Sequence, residues 1–214
     1  MTLLAIDTTG ADCSVALRRS GHADIVLSEA IGRGHAERLA PMVESVLAKA
    51  GVPPRDLGRI GVTTGPGSFA GTRVGTAFAR GLALASGAPA VGIGNLAVIA
   101  HALAEIRPLA VLHDAKRGEL ILQVWTGAQA GAPERLPVEA AADRIRALAG
   151  ETAILAGSGA SLMPAGLFDT RGSAGIDLSA LLDLTAAADP AASPASPFYA
   201  RPPDAKLPGG VEPA

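Results

Sequence analysis

The chain has 214 residues, 49% of them hydrophobic but only 3% aromatic, and 18 basic against 20 acidic side chains leave a net charge of −2. It is too apolar and too weakly charged to stay disordered, and long enough to bury a core as one large domain or two small ones. It lacks the basic footprint of a stand-alone nucleic-acid binder, and four Phe, one Trp and one Tyr offer few stacking platforms for bases.

Three strands open the chain: Leu3 to Asp7, Ser14 to Arg18 and Asp24 to Ala30, joined by short turns that argue for an antiparallel meander. Leu39, Met42, Val43, Val46, Leu47 and Ala50 then recur at helical spacing up to Gly51, with Pro41 expected in the first turn or at a kink. Ile60 to Thr64 reads as a buried strand. Gly65-Pro-Gly-Ser-Phe-Ala-Gly leads into a helix from Gly71 to Ser86, with Ser68 a candidate N-cap. Pro89 to Ile93 is another strand and Leu96 to Ile106 another helix. The pattern then restarts. Leu109 to His113 is a strand ending at Asp114, a turn follows at 115–118, and Leu120 to Trp125 alternates as a returning strand. Helices are expected at 138–149 and 178–188, with a strand at 152–156 between them. From Pro190 onward Pro and Ala dominate an extended tail, with Phe198 and Tyr199 as anchors.

Both halves therefore open with a strand, an Asp at its end, a tight turn and a returning strand, about 107 residues apart. That duplication points to an α/β actin-like, sugar-kinase-like (ASKHA) fold. Its two RNase H-like halves carry mixed sheets: residues 1–107, a reduced second half at 108–189, and a Pro/Ala-rich segment at 190–214. Fold alone does not assign function. Cys13 is the only cysteine, so no intrachain disulfide is expected. The start Met1–Ile6 has no basic n-region. The uncharged run from Gly81 to Ala104 is broken by glycines and Pro89, so a cytoplasmic protein is expected.

Several chemical motifs fail on spacing. Gly65 to Gly71 is neither a Walker A loop nor a dinucleotide fingerprint, and Ser68 lacks the flanking glycines of a nucleophile elbow. His35 has Ile31 and Leu39 four residues to either side, so no helical His pair exists and no metal site is expected. Asp7 and Asp114 remain as a candidate acidic pair, although turn-forming Asp is common. On the helix after Gly65, Gly71, Gly75, Ala79 and Ala83 recur every four residues. That side can take a close backbone approach, either from the chain's own sheet or from another subunit.

Taken together, Ala5-Ile6-Asp7-Thr8-Thr9, Cys13 to Leu17, His35-Ala36-Glu37-Arg38-Leu39 and Gly65-Pro66-Gly67-Ser68-Phe69-Ala70-Gly71-Thr72-Arg73 resemble the TsaB (YeaZ) family of bacterial tRNA threonylcarbamoyladenosine biosynthesis subunits. Asp114-Ala115-Lys116-Arg117-Gly118-Glu119 and Pro197-Phe198-Tyr199-Ala200-Arg201 are similar to the family as well. The family usually places Thr before Gly-Leu-Arg or Gly-Val-Arg after the Phe, where this chain has Ala70-Gly71-Thr72.

The resemblance implies a non-catalytic subunit, inactive alone, that binds the TsaD-like catalytic subunit. With the TsaE-like ATPase, that complex transfers threonylcarbamoyl to the adenosine beside the anticodon. It implies no cofactor on this chain alone, ATP or ADP at the interface of the complex, tRNA contacted only through the complex, no membrane, and a capacity to self-associate. The family pairs through its first two helices. Leu39, Met42, Val43, Val46 and Leu47 on one, and Gly71, Arg73, Gly75 and Ala79 on the other, thus become interface candidates. Asp7, Thr8, Thr9, Gly65, Gly67, Ser68, Phe69, Asp114 and Arg117 mark the motif loops. The alternatives are an ATP-dependent small-molecule kinase of the same superfold and an M22-type metallopeptidase.

Overall fold

The computed structural model describes residues 1–127, 130–172 and 175–199; Ala200, Arg201 and the rest of the C-terminal segment lie outside the described residues. The strands β1 (Thr2–Asp7), β2 (Asp12–Arg19) and β3 (Ile25–Ala30) form the antiparallel meander, with Asp7 opposite Ser14 and Cys13 opposite Glu29. Two parallel strands, β4 (Arg59–Thr63) and β5 (Ala90–Ile93), complete a five-stranded sheet in the order β3-β2-β1-β4-β5.

Side chains alternate across β1, so its unbroken apolar run means that both faces are covered. Leu4 and Ile6 face helices α1 (His35–Ala50) and α2 (Phe69–Ser86). Leu3 and Ala5 face the opposite layer, made by α3 (Asn95–Ala102) and α5 (Leu178–Ala187).

Helix α1 starts a turn before its apolar pattern. Gly34 sits at its N-cap in the left-handed region and contributes no side-chain hydrogen bond. Glu37 in the first turn and Lys49 in the last complement the helix dipole. Pro41 lies inside the helix rather than in its first turn. There it leaves the Glu37 carbonyl without its usual N–H partner, on a side exposed to solvent. In α2, the Ser68 hydroxyl accepts a hydrogen bond from the Gly71 N–H at 3.2 Å, as its N-cap position predicts.

The second sheet has the order β8-β7-β6-β9 and is built from β6 (Leu109–Lys116), β7 (Glu119–Trp125), β8 (Glu134–Pro137) and β9 (Ile154–Ala156). Helix α4 (Val138–Ala149) joins β8 to β9 as α1 joins β3 to β4. The two sheets thus repeat one topology, and the second lacks the fifth strand among the described residues. Strand β8 is absent from the sequence-based expectation, because its four half-exposed residues carry no apolar alternation.

Helix α5 corrects the expected division at 108–189. Although it follows the second sheet in sequence, Leu178, Ala180, Leu181 and Leu182 pack on the first sheet. The approach is close: a methyl on Gly61 of β4 would fall 1.8 Å from the Thr185 hydroxyl oxygen. Residues 193–198 also return to the first half. The Gly92 N–H donates to the Ser193 carbonyl, and the Phe198 N–H donates to the Thr64 carbonyl.

Candidate functional site

The motif loops of the first half interlock. Asp7 ends β1 and is buried. Its Oδ1 accepts from the Thr9 N–H (3.1 Å), the Thr9 hydroxyl (2.6 Å) and the Thr63 hydroxyl (2.6 Å). Thr9 Oγ1 in turn accepts from Asn95 Nδ2 at 2.6 Å, and Asn95 Oδ1 accepts from the Gly65 N–H at 2.9 Å. The Ser68 N–H donates to the Thr9 carbonyl, and the Thr8 hydroxyl donates to the Gly71 carbonyl at 2.7 Å. Gly67 is required at this contact, since a methyl there would fall 2.6 Å from the Thr9 carbonyl oxygen. Asp7, Thr8, Thr9, Gly65, Gly67 and Ser68 are thus one unit that locks β1 to the start of α2. Asp7 Oδ1, the Thr8 and Thr9 hydroxyls and the Asn95 amide each find a partner in it, which makes such a network rigid.

Beside this unit lies a cleft of about 670 Å³ between the two sheets, lined by Asp7, Thr9, Ser14, Asn95, His113, Ser158 and the start of α5. Asp114 does not line it, so the cleft does not bring the candidate pair Asp7 and Asp114 together. The Asp114 carboxylate accepts from the Lys116 N–H (2.8 Å) and Lys116 Nζ (2.6 Å). The hydrogen bond from Lys116 holds the Asp114 carboxyl below its usual range. Arg117 lies in the same hairpin turn, where Lys116 and Arg117 both have positive φ. His113 does face the cleft, 3.3 Å from the Ser158 hydroxyl, and burial lowers its pKa. Three acidic residues, Asp7, Asp12 and Asp177, contribute to the lining, and no Lys or Arg does so among the described residues. Among the described residues the lining thus offers a phosphate no cationic side chain.

His35, the remaining metal candidate, is buried with Nε2 3.2 Å from the Asp12 carbonyl. Among the described residues no three His, Cys, Asp or Glu gather in metal-binding geometry.

The two candidate interface helices need correction. Leu39, Met42, Val43, Val46 and Leu47 are all buried against the chain's own sheet, together with Val15, Leu17 and Ile60. Each such side chain contributes about 1.5–3 kcal/mol to folding, so this stripe is used by the core. Gly71, Gly75 and Ala79 are buried as well. A methyl on Gly71 would lie 1.9 Å from the Thr8 carbonyl oxygen, and one on Gly75 2.5 Å from Thr8 Oγ1.

Arg73 points the other way. It is two residues from Gly71, hence about 200° around the helix. It belongs to a second row of small residues, Ala77, Gly81 and Ala85, which is exposed. Leu84 beside that row is 89% exposed, and nothing lies within 4 Å of a methyl placed on Gly81. Periodicity alone does not tell the buried row from the exposed one, because both repeat every four residues. The available signal was Arg73 itself, a charge with no place in a core.

Phe69, 56% exposed at the first position of α2, meets Tyr199 with ring centroids 5.9 Å apart. The Arg73 guanidinium lies 3.4 Å over the Phe69 ring, and its Nε–H donates to the Tyr199 hydroxyl at 3.0 Å.

Residues 24–152 match the family described as TsaD, tRNA N6-adenosine threonylcarbamoyltransferase. The tRNA threonylcarbamoyladenosine biosynthesis protein TsaB of Escherichia coli is 34% identical over 163 residues, which cover 71% of this chain and 69% of that protein. The protein of the same name from Haemophilus influenzae is 39% identical over 106 residues, covering 50% of this chain and 44% of its own length. In structure, YeaZ from Pseudomonas aeruginosa superposes with a TM-score of 0.75 at 30% identity, covering 92% of this chain and 99% of that one. The topology of the two sheets and these likenesses agree, and the chain belongs to the TsaB (YeaZ) family.

Proposed function

We propose that the chain is a non-catalytic subunit of the machinery for N6-threonylcarbamoyladenosine modification of tRNA, and that it docks the TsaD-type transferase through the outward face of α2. The observation that carries this reading is Leu84, an exposed leucine beside the open row Ala77, Gly81 and Ala85. A row of small residues lets a second helix come close, and a protruding leucine gives it a knob to receive. The kinship of residues 24–152 with the TsaD family supports the choice of partner, because related folds can pair about a pseudo-twofold axis through the same two helices.

The cleft supports the non-catalytic part of the reading. Its lining carries no cationic side chain among the described residues, which disfavours the kinase alternative. His35 is engaged with backbone, which disfavours the metallopeptidase. In this account ATP or ADP enters at the interface of the complex, a TsaE-like ATPase completes it, and tRNA is met through the complex in the cytoplasm. No helix among the described residues is long and apolar enough to cross a membrane.

The test is gel filtration of the purified chain mixed with its cognate TsaD-type subunit. Co-elution is expected, and separate elution at micromolar concentrations contradicts the reading.

A further inference from the structure

Three of the chain's six aromatic residues, Phe69, Phe198 and Tyr199, gather half-exposed at one end of α2, in a protein otherwise poor in them. The chain reaches this point from far away. After α5 the segment runs along the edge of β5, with Pro194 bridging to Val91 and the Phe198 N–H donating to the Thr64 carbonyl. This delivers Tyr199 to Arg73, 126 residues away in sequence.

Arg73 is consequently held on two sides. Its guanidinium carbon lies over the Phe69 ring, 3.4 Å from the centroid, and 5.2 Å from the centroid of the Tyr199 ring, and its Nε–H is spent on the Tyr199 hydroxyl. Its two terminal nitrogens make no hydrogen bond or ion pair with any described residue. A guanidinium set over a ring, with both terminal N–H pairs unengaged among the described residues, is a fork shaped for a carboxylate, and holding it in place beforehand removes much of the entropy cost of pairing. Helix α2 has two arginines and no acidic residue, so the patch favours an acidic counterpart. It also continues the open row of Ala77, Gly81 and Leu84 on the same helix.

We propose that residues 193–199 are part of the docking surface: with Phe69 they fix Arg73 to receive a carboxylate of the TsaD-type subunit. This rests on the docking reading above and adds to it a hot spot and the role of a distant segment. Aromatic and arginine side chains are the residue types that dominate interface energetics, and the adjoining Leu84 row favours a protein over an RNA occupant.

The experiment is calorimetric titration of the full chain with its cognate TsaD-type subunit at low and high salt, for wild type, Arg73→Glu, Arg73→Lys and Tyr199→Leu. Arg73→Glu is expected to weaken binding by about tenfold or more, as loss of a close interfacial charge pair does. Arg73→Lys, which keeps the charge but not the planar fork, should weaken it by a smaller factor, as should Tyr199→Leu. Salt should weaken the wild-type complex more than the Arg73→Glu complex. Because Arg73 and Tyr199 are exposed, melting temperatures should match wild type.

Equal affinity of Arg73→Glu and wild type overturns the proposal. So does an unchanged Tyr199→Leu, which removes the segment's role. Unchanged subunit affinity with weakened tRNA binding by the complex overturns it in favour of an RNA contact. Loss of a homodimer with subunit binding intact overturns it in favour of a second copy. A wild-type chain that does not bind at all brings down the docking reading itself, and this one with it.

Discussion

Replacing Gly71 by Ala sets a methyl 1.9 Å from the carbonyl oxygen of Thr8, where a normal carbon–oxygen contact needs more than 3 Å. The obstacle is backbone, held by the Ser68 N–H to Thr9 carbonyl bond, so it cannot swing aside as a side chain would. Forcing a methyl into such a contact costs about 1–3 kcal/mol. The displaced helix start also strains the Thr8 hydroxyl bond to the Gly71 carbonyl, at about 1 kcal/mol. Against this, Ala gains about 1 kcal/mol over Gly in helix propensity. The net expectation is a loss of about 1–3 kcal/mol, or roughly 2–12 °C in melting temperature for a chain of this size. Gly81→Ala on the same helix is the control. Its methyl meets nothing within 4 Å, so only the propensity gain remains, and stability should rise by about 0.5–1 kcal/mol. Thermal unfolding followed by circular dichroism reads both. A neutral or stabilising Gly71→Ala would refute the packing of this row on the Thr8 turn and restore it as a free docking face.

Leu84→Glu should leave the melting temperature within about 1–2 °C of wild type, as surface changes do, yet abolish co-elution with the TsaD-type subunit. Leu39→Ala, at a fully buried position, should cost about 2–5 kcal/mol in urea unfolding, as a core deletion does and an interface deletion does not. Burial lowers the folded pKa of His113 below its ordinary value of 6.5, so the unfolded chain takes up the proton first. The His113 contribution is therefore complete above pH 6.5 and is lost as pH falls toward the folded pKa; His113→Gln should flatten the stability profile between pH 7 and pH 5. Burial, with smaller contributions from Glu29 and Asp7, pushes the Cys13 thiol up to about 11, so its alkylation at pH 8 should be slow in the native protein and fast once urea unfolds it.

Local chemistry made much of the fold legible. The meander, the Ser68 cap and the restart of the pattern at Leu109 all follow from turn residues, hydroxyl caps and apolar periodicity that act within a few residues. Direction in space was less legible. Periodicity identifies a row of small residues on α2 but not which row meets the sheet, because both Gly71–Gly75–Ala79 and Ala77–Gly81–Ala85 satisfy it. The apolar stripe of α1 likewise reads the same whether the covering surface is the chain's own sheet or a partner's. The return of α5 to the first sheet and the meeting of Tyr199 with Arg73 depend on contacts more than a hundred residues apart, which leave no local signature. Asp114 shows the converse limit. Its place in the repeat is real, but the adjacent Lys116 binds its carboxylate within the hairpin and keeps it from the cleft.

The central claim, a subunit that acts by docking rather than by chemistry of its own, meets its most direct test in reconstituted threonylcarbamoyl transfer to tRNA. Transfer should require both this chain and its cognate TsaD-type subunit together with the ATPase, and should fail when Leu84→Glu replaces wild type. Transfer that proceeds equally well without this chain, or equally well with the Leu84→Glu variant, would contradict the account.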